Sequence, residues 1–209
     1  MKSKVKATII SGAPGADIDF LKKNVDKTAY IIAADSGYKF CMQAGIEPDL
    51  IIGDFDSAPP PKTDVSILTL PVEKDDTDTF YAVKHAVRCG FKNIEILNAV
   101  GSRFDHTYAN VMALKYCLDS GVKAVVLDRH NKILMTDKPV TLKAGEYDYF
   151  SLYAVGGDVL GLSILGSFYD VEGITIDPFE QFTQSNHFVG KDVKINFDGG
   201  YLLIIEAND

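Results

Sequence analysis

Short apolar runs alternate with helical patterns through the first part of the chain. The runs at 5–10 (VKATII), 29–34 (AYIIAA), 50–52 (LII), 66–70 (SILTL), 94–99 (IEILNA) and 124–128 (AVVLD) are rich in β-branched residues and too short for helices, so they predict strands. Between them, DIDFLKKNV, GYKFCMQAG, TDTFYAVKHAVRCG and HTYANVMALKYCLDSG carry apolar residues at helical spacing. The third places Phe80, Val83 and Val87 on one face and stops at Gly90; the fourth places Tyr108, Val111, Ala113, Leu114 and Leu118 together and stops at Gly121. Such alternation implies an α/β fold: a mostly parallel, Rossmann-like sheet with helices on both faces.

Beyond about Asp128 the pattern changes. DRHNKILMTDK reads as polar and turn-rich, and no convincing helix of three turns follows it. YDYFSLYAV, VLGLSILG, FYDVEGITI, VKINFD and YLLIIEA, separated by Gly, Asp and Asn, predict a small C-terminal antiparallel β-sandwich. Two domains are therefore expected, 1–130 and 131–209. APPPK at 58–62 reads as a stiff loop.

The carboxylates fall in a pattern of their own. Asp35 follows the second strand, Asp54 and Asp56 the third, Asp75, Asp76 and Asp78 the fourth, and Asp105 the fifth. In a parallel sheet those ends share one edge, which is where open α/β sheets bind ligands. Ser36, Thr77 or Asp78, and Asp105 each have a plain alternative role as helix caps. Taken together, though, converging carboxylates repel by about 4 kcal/mol per close pair at ~4 Å and an effective dielectric of ~20. A hard divalent cation such as Mg²⁺, shared with phosphate oxygens, answers that repulsion. In an extended strand end, residues two apart point the same way, so Asp54 and Asp56 are expected to face one ion. Lys74 and Arg103 stand in the same loops as phosphate contacts, with an Arg103–Asp105 ion pair as the alternative. His106 reads as an orienting or capping residue, and His85 and His130 as surface and linker residues. The Gly-rich turn SGAPGAD after the first strand is neither a P-loop nor G-x-G-x-x-G, but it brings Gly12 and Gly15 backbone near a nucleotide.

Composition narrows the classes. The chain has 209 residues, 46% of them hydrophobic, and a net charge of −8, which leaves no nucleic-acid footprint. No apolar run approaches membrane length, and the run before Ser11 is too short for a signal peptide. Cys41, Cys89 and Cys117 are scattered and odd in number, which reads as buried free thiols in a reducing cytoplasm.

AADSG (33–37), PDLIIGDFDS (48–57), EKDDTD (73–78) and GSRFDH (101–106), in this order and spacing, closely resemble thiamine pyrophosphokinases. The C-terminal TQSNHFVGKDVKINFDGGYLLII extends the resemblance over nearly the whole chain. It implies transfer of pyrophosphate from ATP to the thiamine hydroxyl, giving thiamine diphosphate and AMP. Residues 1–130 would then form the catalytic, ATP- and Mg²⁺-binding domain, and 131–209 the thiamine-binding and dimerisation domain of a homodimer with interface active sites. By motif, Asp54, Asp56 and Asp78 would hold Mg²⁺, and Asp35 would lie near metal or thiamine. Lys74 and Arg103 would contact phosphates, with Asp105 completing the polar site. Ser57, Asp75, Thr77 and His106 would belong to the same ligand-binding set, and Ser185 and Asn186 would approach the thiamine pyrimidine. ADSG stands where the family often has a Gly-Gly pair. With no Trp in the chain, Phe188 and Tyr201 become the aromatic candidates for stacking.

Two other readings remain open. DFDS is similar to the D-x-D-x-[TV] of haloacid-dehalogenase-like Mg²⁺-dependent phosphatases, although Gly53 intervenes after the apolar run and Ser57 replaces Thr or Val. A non-catalytic nucleotide- or thiamine-binding protein is the other, against which the intact set of metal and phosphate residues argues.

Overall fold

The computed structural model describes residues 5–56 and 59–209, which form two compact units divided after Arg129. In the first unit β1 (Lys6–Ile10), β2 (Tyr30–Ala34), β3 (Leu50–Gly53), β4 (Ser66–Thr69), β5 (Asn93–Leu97) and β6 (Lys123–Leu127) run parallel, in the order β6-β5-β1-β2-β3-β4. The helices are α1 (Ile18–Asn24), α2 (Gly37–Ala44), α3 (Asp78–Arg88) and α4 (Phe104–Asp119). Ile10, Ile31, Ala33, Ile51 and Leu97 share a core with Leu21, Val25, Cys41 and Ala44 from around α1 and α2. Their strand neighbours Ile9, Ile32 and Ile52 point to the opposite face and are also fully buried, with α3 lying against β1, β2 and β3. Burial on both faces is why these strands read as continuous apolar runs rather than as alternation.

The chain order places the ligand edge. From β1 the chain steps outward through β2, β3 and β4, then returns by α3 to β5 on β1's other flank. Loops leaving β1, β2 and β5 therefore diverge at the carboxyl end of β1, opening a crevice at a topological switch point.

The helix faces match the expected ones in part: Val83 of α3 and Ala113 and Leu114 of α4 are buried as expected, but the rings beside them are not. α3 buries Thr79, Ala82, Val83 and Ala86, while Phe80 moves to the flank and meets Tyr116 edge-on at 5.4 Å. α4 buries Asn110, Ala113, Leu114 and Cys117 and leaves Tyr108 exposed. Small residues on the buried faces let the helices approach each other and the sheet closely. Cys41 and Cys117 are buried, and burial pushes both thiols up to about 12. Cys89 corrects the expectation of three buried thiols: it lies at the exposed end of α3, within 3.5 Å of His85 Nε2.

The second unit is all β. β7 (Asn131–Thr136), β8 (Val140–Leu142), β9 (Tyr149–Ala154), β10 (Val159–Leu165), β11 (Val171–Ile176), β12 (Asn186–His187), β13 (Val193–Asn196) and β14 (Leu202–Ala207) pair antiparallel. Their orders are β12-β9-β14-β7 and β11-β10-β13-β8, and both sets feed one core around Phe150, Leu152, Leu162, Ile195 and Ile204. β7 arises in the stretch expected to be turn-rich. Its signal is only the pair Ile133 and Met135, buried in alternation between polar flanks. β8 and β12 were also not expected; each is too short to show a pattern. Among the described residues no helix is long and apolar enough to cross a membrane.

Glu206 on β14 is 1% exposed and sits opposite Lys132 of β7, whose Nζ lies 2.8 Å from its Oε1. Burial raises the Glu206 carboxyl, and the Lys132 ammonium only partly offsets it. A raised acid holds its proton longer in the folded chain than in the unfolded one. Its contribution therefore favours folding at low pH and is lost as pH rises through the folded value. Glu206→Gln should accordingly gain stability relative to the parent as pH climbs above the ordinary glutamate range, read from urea unfolding at several pH values. A stability difference that does not change with pH would mean that Glu206 titrates as if solvated.

Candidate active site

The carboxyl ends of the parallel strands carry unusual backbone. Asp35, Phe55 and Asn98, closing β2, β3 and β5, adopt φ of 49, 54 and 53°. Left-handed turns at non-glycine residues cost about 1–2 kcal/mol each and persist where other contacts impose them. Here Asp35 N donates to Ile52 O at 2.7 Å and Asp56 N donates to Asp54 Oδ1 at 3.2 Å. The turn at Phe55 overturns the expectation of a strand-like extension through Asp54 and Asp56. Asp54 points inward, its side chain 12% exposed, whereas Asp56 stands exposed.

What lies between the carboxylates is an ammonium group. Lys74, carried by the loop after β4, donates a short hydrogen bond to Asp54 Oδ2, and its Nζ lies 3.1 Å from Asp78 Oδ1. All three side chains are at most 15% exposed. The Asp54 carboxyl is held below its ordinary value chiefly by that hydrogen bond. Asp78 goes the other way: burial raises it, and the nearby Asp54 and Asp35 charges add to the rise. For Lys74, burial alone would lower the ammonium, but its bonds to Asp54 and Asp78 outweigh this and raise it. Asp78 Oδ1 receives no well-directed hydrogen bond despite its buried position. Two carboxylates share one ammonium, and the Asp35 charge is felt at Asp78, so the edge stays anionic.

The remaining expected residues divide. Asp75 is exposed, and Asp76 takes both its bonds from Lys84 Nζ at 2.8 Å. Thr77 caps α3, its Oγ1 accepting from Phe80 N at 3.2 Å. Arg103 and Asp105 are paired with each other in full view of solvent, Nη2 to Oδ2 at 2.5 Å, so the alternative ion pair is the one formed in this state. That bond lowers the Asp105 carboxyl and raises the Arg103 guanidinium. Ser57 lies outside the described residues.

A cavity of about 240 Å³ opens at the switch point. Its walls are the Ser11–Pro14 loop, the start of α3 with Asp78, and the 99–107 segment with Arg103 and His106; Asp35 also lines it. Several polar residues here went unread in the sequence. Ser11 and Thr79 share a buried 2.6 Å hydroxyl hydrogen bond, Asn110 Nδ2 donates to Ala99 O at 2.8 Å, and Thr107 Oγ1 accepts from Gly101 N at 3.1 Å. Asn98 was counted into its strand; an Asn closing an apolar run is a signal for a left-handed turn.

In the second unit, Ser185 is exposed with φ of 54°. Asn186 is 3% exposed and fully engaged. Its Nδ2 donates to Ser167 Oγ and Tyr169 O, and its Oδ1 accepts from Tyr169 N and His187 N. Asn186 thus shapes the turn that presents Phe168 and Tyr169, 63% and 60% exposed, beside His187. Of the aromatic candidates, Phe188 packs edge-on against Phe150 at 5.2 Å in the core, and Tyr201 remains at the surface.

Among the described residues no group of three or more His, Cys, Asp or Glu is gathered tightly enough to enclose a metal ion. The donor set nonetheless suits Mg²⁺: hard carboxylate oxygens, one of them buried and without a directed hydrogen bond, on a site that leaves further positions to phosphate and water.

Comparison with known proteins gives a consistent result. Residues 21–126 match the family described as thiamin pyrophosphokinase, catalytic domain, and 137–202 that described as thiamin pyrophosphokinase, vitamin B1 binding domain. The chain is 26% identical to thiamine pyrophosphokinase of Bacillus subtilis over 96% of this chain and 98% of that one. It is 29% identical to thiamin pyrophosphokinase 1 of Caenorhabditis elegans over 96% and 88% of the two chains. The crystal structure of the Geobacillus thermodenitrificans thiamin pyrophosphokinase superposes with a TM-score of 0.85 at 25% identity, covering 98% of each chain.

Removing the Lys74 ammonium should expose the repulsion it offsets. Lys74→Met is expected to lower the unfolding free energy by about 2–4 kcal/mol, less than a fully buried pair loses because the site is partly open. Asp54→Asn in that background should restore part of the loss, as a double-mutant cycle in urea will show. An unchanged midpoint for Lys74→Met would mean the three groups are solvated independently.

Proposed function

The chain belongs to the thiamine pyrophosphokinase family, and on that premise we propose that the carboxylate edge of its first unit is where pyrophosphate passes from ATP to the thiamine hydroxyl, giving thiamine diphosphate and AMP. The observation that carries this placement is the pairing of Asp54 and Asp78 with Lys74, beside a cavity at the sheet's switch point that Asp78 and Asp35 line. Pyrophosphoryl transfer needs in-line positioning and charge stabilisation more than a protein nucleophile.

The roles follow from charge and position. Asp54 and Asp78 would hold Mg²⁺, which when bound draws charge from the triphosphate oxygens; Asp56, exposed beyond the turn at Phe55, would join them from the solvent side. Lys74 and Arg103 are the cations for the phosphates, each now resting on a carboxylate that a phosphate can replace. Thr77 and His106 flank the nucleotide, Asp75 lies at the rim, and Asp105 releases Arg103. Asp35 adds negative charge at the same edge. The second unit, which we read as a β-sandwich, receives thiamine at the surface around Ser185, with Asn186 holding the Phe168–Tyr169 turn in place. The exposed rings of that surface support assembly as a homodimer. The unpaired cysteines support a cytoplasmic setting. Neither the phosphatase nor the non-catalytic reading is favoured, since both parts of the chain match one enzyme family.

With ATP, thiamine and Mg²⁺, thiamine diphosphate should rise in step with AMP, one for one, on chromatography of the reaction. Accumulation of ADP with thiamine monophosphate would mean attack at the terminal phosphorus, and free phosphate alone would mean a phosphatase. Asp78→Asn should lower kcat by about 100- to 1000-fold, the scale of losing one preorganised electrostatic contact.

A further inference from the structure

Asn98 stands where β5 ends and the loop to α4 begins, 9% exposed and with its backbone left-handed. Both hydrogens of its side-chain amide cross the switch point. Nδ2 donates to Ser11 O at 2.8 Å and to Ala13 O at 3.0 Å. Its own carbonyl accepts from Ala13 N at 3.2 Å, and Ser11 N donates to the neighbouring Leu97 O at 2.9 Å. The stretch it grips has no regular structure and runs into Pro14, which has no N–H to give.

That stretch is one wall of the cavity, and the 99–107 segment is the facing one. Asn110 and Thr107 of α4 fix the second wall through Ala99 and Gly101. The two walls touch: a Cβ on Gly101 would lie 3.1 Å from Ala13 Cβ. A continuous set of hydrogen bonds therefore runs from α4 through residues 99–101 and Asn98 to the loop after β1. Asn98 does not itself line the cavity. Both hydrogens of its amide are used within the protein, on the backbone of the loop, and it is through that loop that it acts on a ligand.

We propose that Asn98 is a positioning residue for the nucleotide, holding the Ser11–Pro14 backbone at the spacing that receives the nucleoside part of ATP. This rests on the reading of the carboxylate edge as the phosphate site, because Asp35 and Asp78 line the same cavity. A nucleotide whose phosphates lie at Asp78 and Lys74 has this cavity for its remaining portion, between small side chains at Gly12, Ala13, Ala99 and Gly101. Asn is suited to the task because it tolerates the left-handed backbone and carries two donors on one side chain.

Asn98→Gly keeps the backbone freedom and removes the latch. It should raise KM for ATP about tenfold, equivalent to ~1.4 kcal/mol, while KM for thiamine stays within about twofold and kcat falls much less than ATP affinity. Calorimetric binding of a non-hydrolysable ATP analogue should weaken to the same degree. Asn98→Asp, which turns a carboxylate oxygen toward two carbonyls, should be worse than Gly in ATP affinity, and it carries the test alone if the Gly variant does not fold. Gly12→Ala perturbs the same wall without touching Asn98, since its Cβ would meet Ser36 Oγ at 2.3 Å and Asp35 Oδ2 at 3.2 Å. If Gly12→Ala raises KM for ATP and Asn98→Gly lowers only the melting temperature, Asn98 is structural and the proposal fails while the site stands. If neither variant changes ATP affinity, the cavity does not take the nucleotide, and the proposal and that placement fall together. A rise in KM confined to thiamine overturns the nucleotide assignment.

Discussion

The ion cluster of Lys74 with Asp54 and Asp78 is the contact on which the functional edge depends. A parallel sheet sends every strand's carboxyl end to one side, so acidic residues at those ends are forced together whatever loops carry them. Without a cation, close carboxylate pairs at such a site repel by about 4 kcal/mol at ~4 Å and an effective dielectric near 20. Lys74 offsets this from the loop after β4, reaching back to Asp54 at the end of β3 and forward to Asp78 in the first turn of α3. One side chain thus ties together the end of β3, the loop after β4 and the first turn of α3. The opposite displacements of the two carboxyls follow from placement: Asp54 takes the direct hydrogen bond, and Asp78, whose Oδ1 is buried without one, is governed by its burial.

Around that cluster the backbone is bent at several strand ends in the same way. Asp35, Phe55 and Asn98 all turn left-handed as their strands finish, and none is a glycine. Glycine would make these turns with less strain, so the side chains must matter. Asp35 contributes charge beside Asp78, and Phe55 packs toward the α1–α2 core. Asn98 bonds across to the loop after β1. Each turn is held by hydrogen bonds around it: Asp35 N to Ile52 O, Asp56 N to Asp54 Oδ1, and the Asn98 amide to the loop after β1. Rigid strands and bent ends together aim short side chains that could not otherwise meet.

Much of this was legible in the sequence, and what was not has identifiable causes. β1, β2 and β3 were read because burial on both faces makes each a continuous apolar run, whereas the edge strand β4, with no fully buried residue, was read from its β-branched residues alone. β7 was missed because only Ile133 and Met135 alternate there and Asp, Arg, His and Asn surround them. The helices were found and Val83, Ala113 and Leu114 do face the core, but periodicity also favoured Phe80 and Tyr108, whereas close packing selected Ala82, Ala86 and Asn110. The convergence of carboxylates was legible because strand polarity alone dictates it. The partner of Asp54 was not, since whether a cluster of negatives holds a lysine or an ion depends on side-chain geometry. The inference that Asp54 and Asp56 face one way failed on a single dihedral angle at Phe55, which no spacing rule reports.

The charge balance finally constrains the form in which a nucleotide can enter. The chain carries net charge −8, and its ligand edge is anionic even with Lys74 in place. A bare triphosphate approaching Asp35, Asp54 and Asp78 would meet like charge, with Lys74 and Arg103 already engaged by carboxylates. For binding to be favourable, each cation must exchange a carboxylate for a phosphate, and each released carboxylate must find a new positive partner. Exchanging Arg103 is easy, because it and Asp105 are both solvated and an exposed pair is worth at most about 1 kcal/mol. Exchanging Lys74 is not, because Asp54 and Asp78 cannot turn to water without leaving the site. On the proposed placement of the phosphates at this edge, the exchange at Lys74 would be favoured by a divalent cation arriving with the nucleotide, because the cation would take up the carboxylates that the lysine releases.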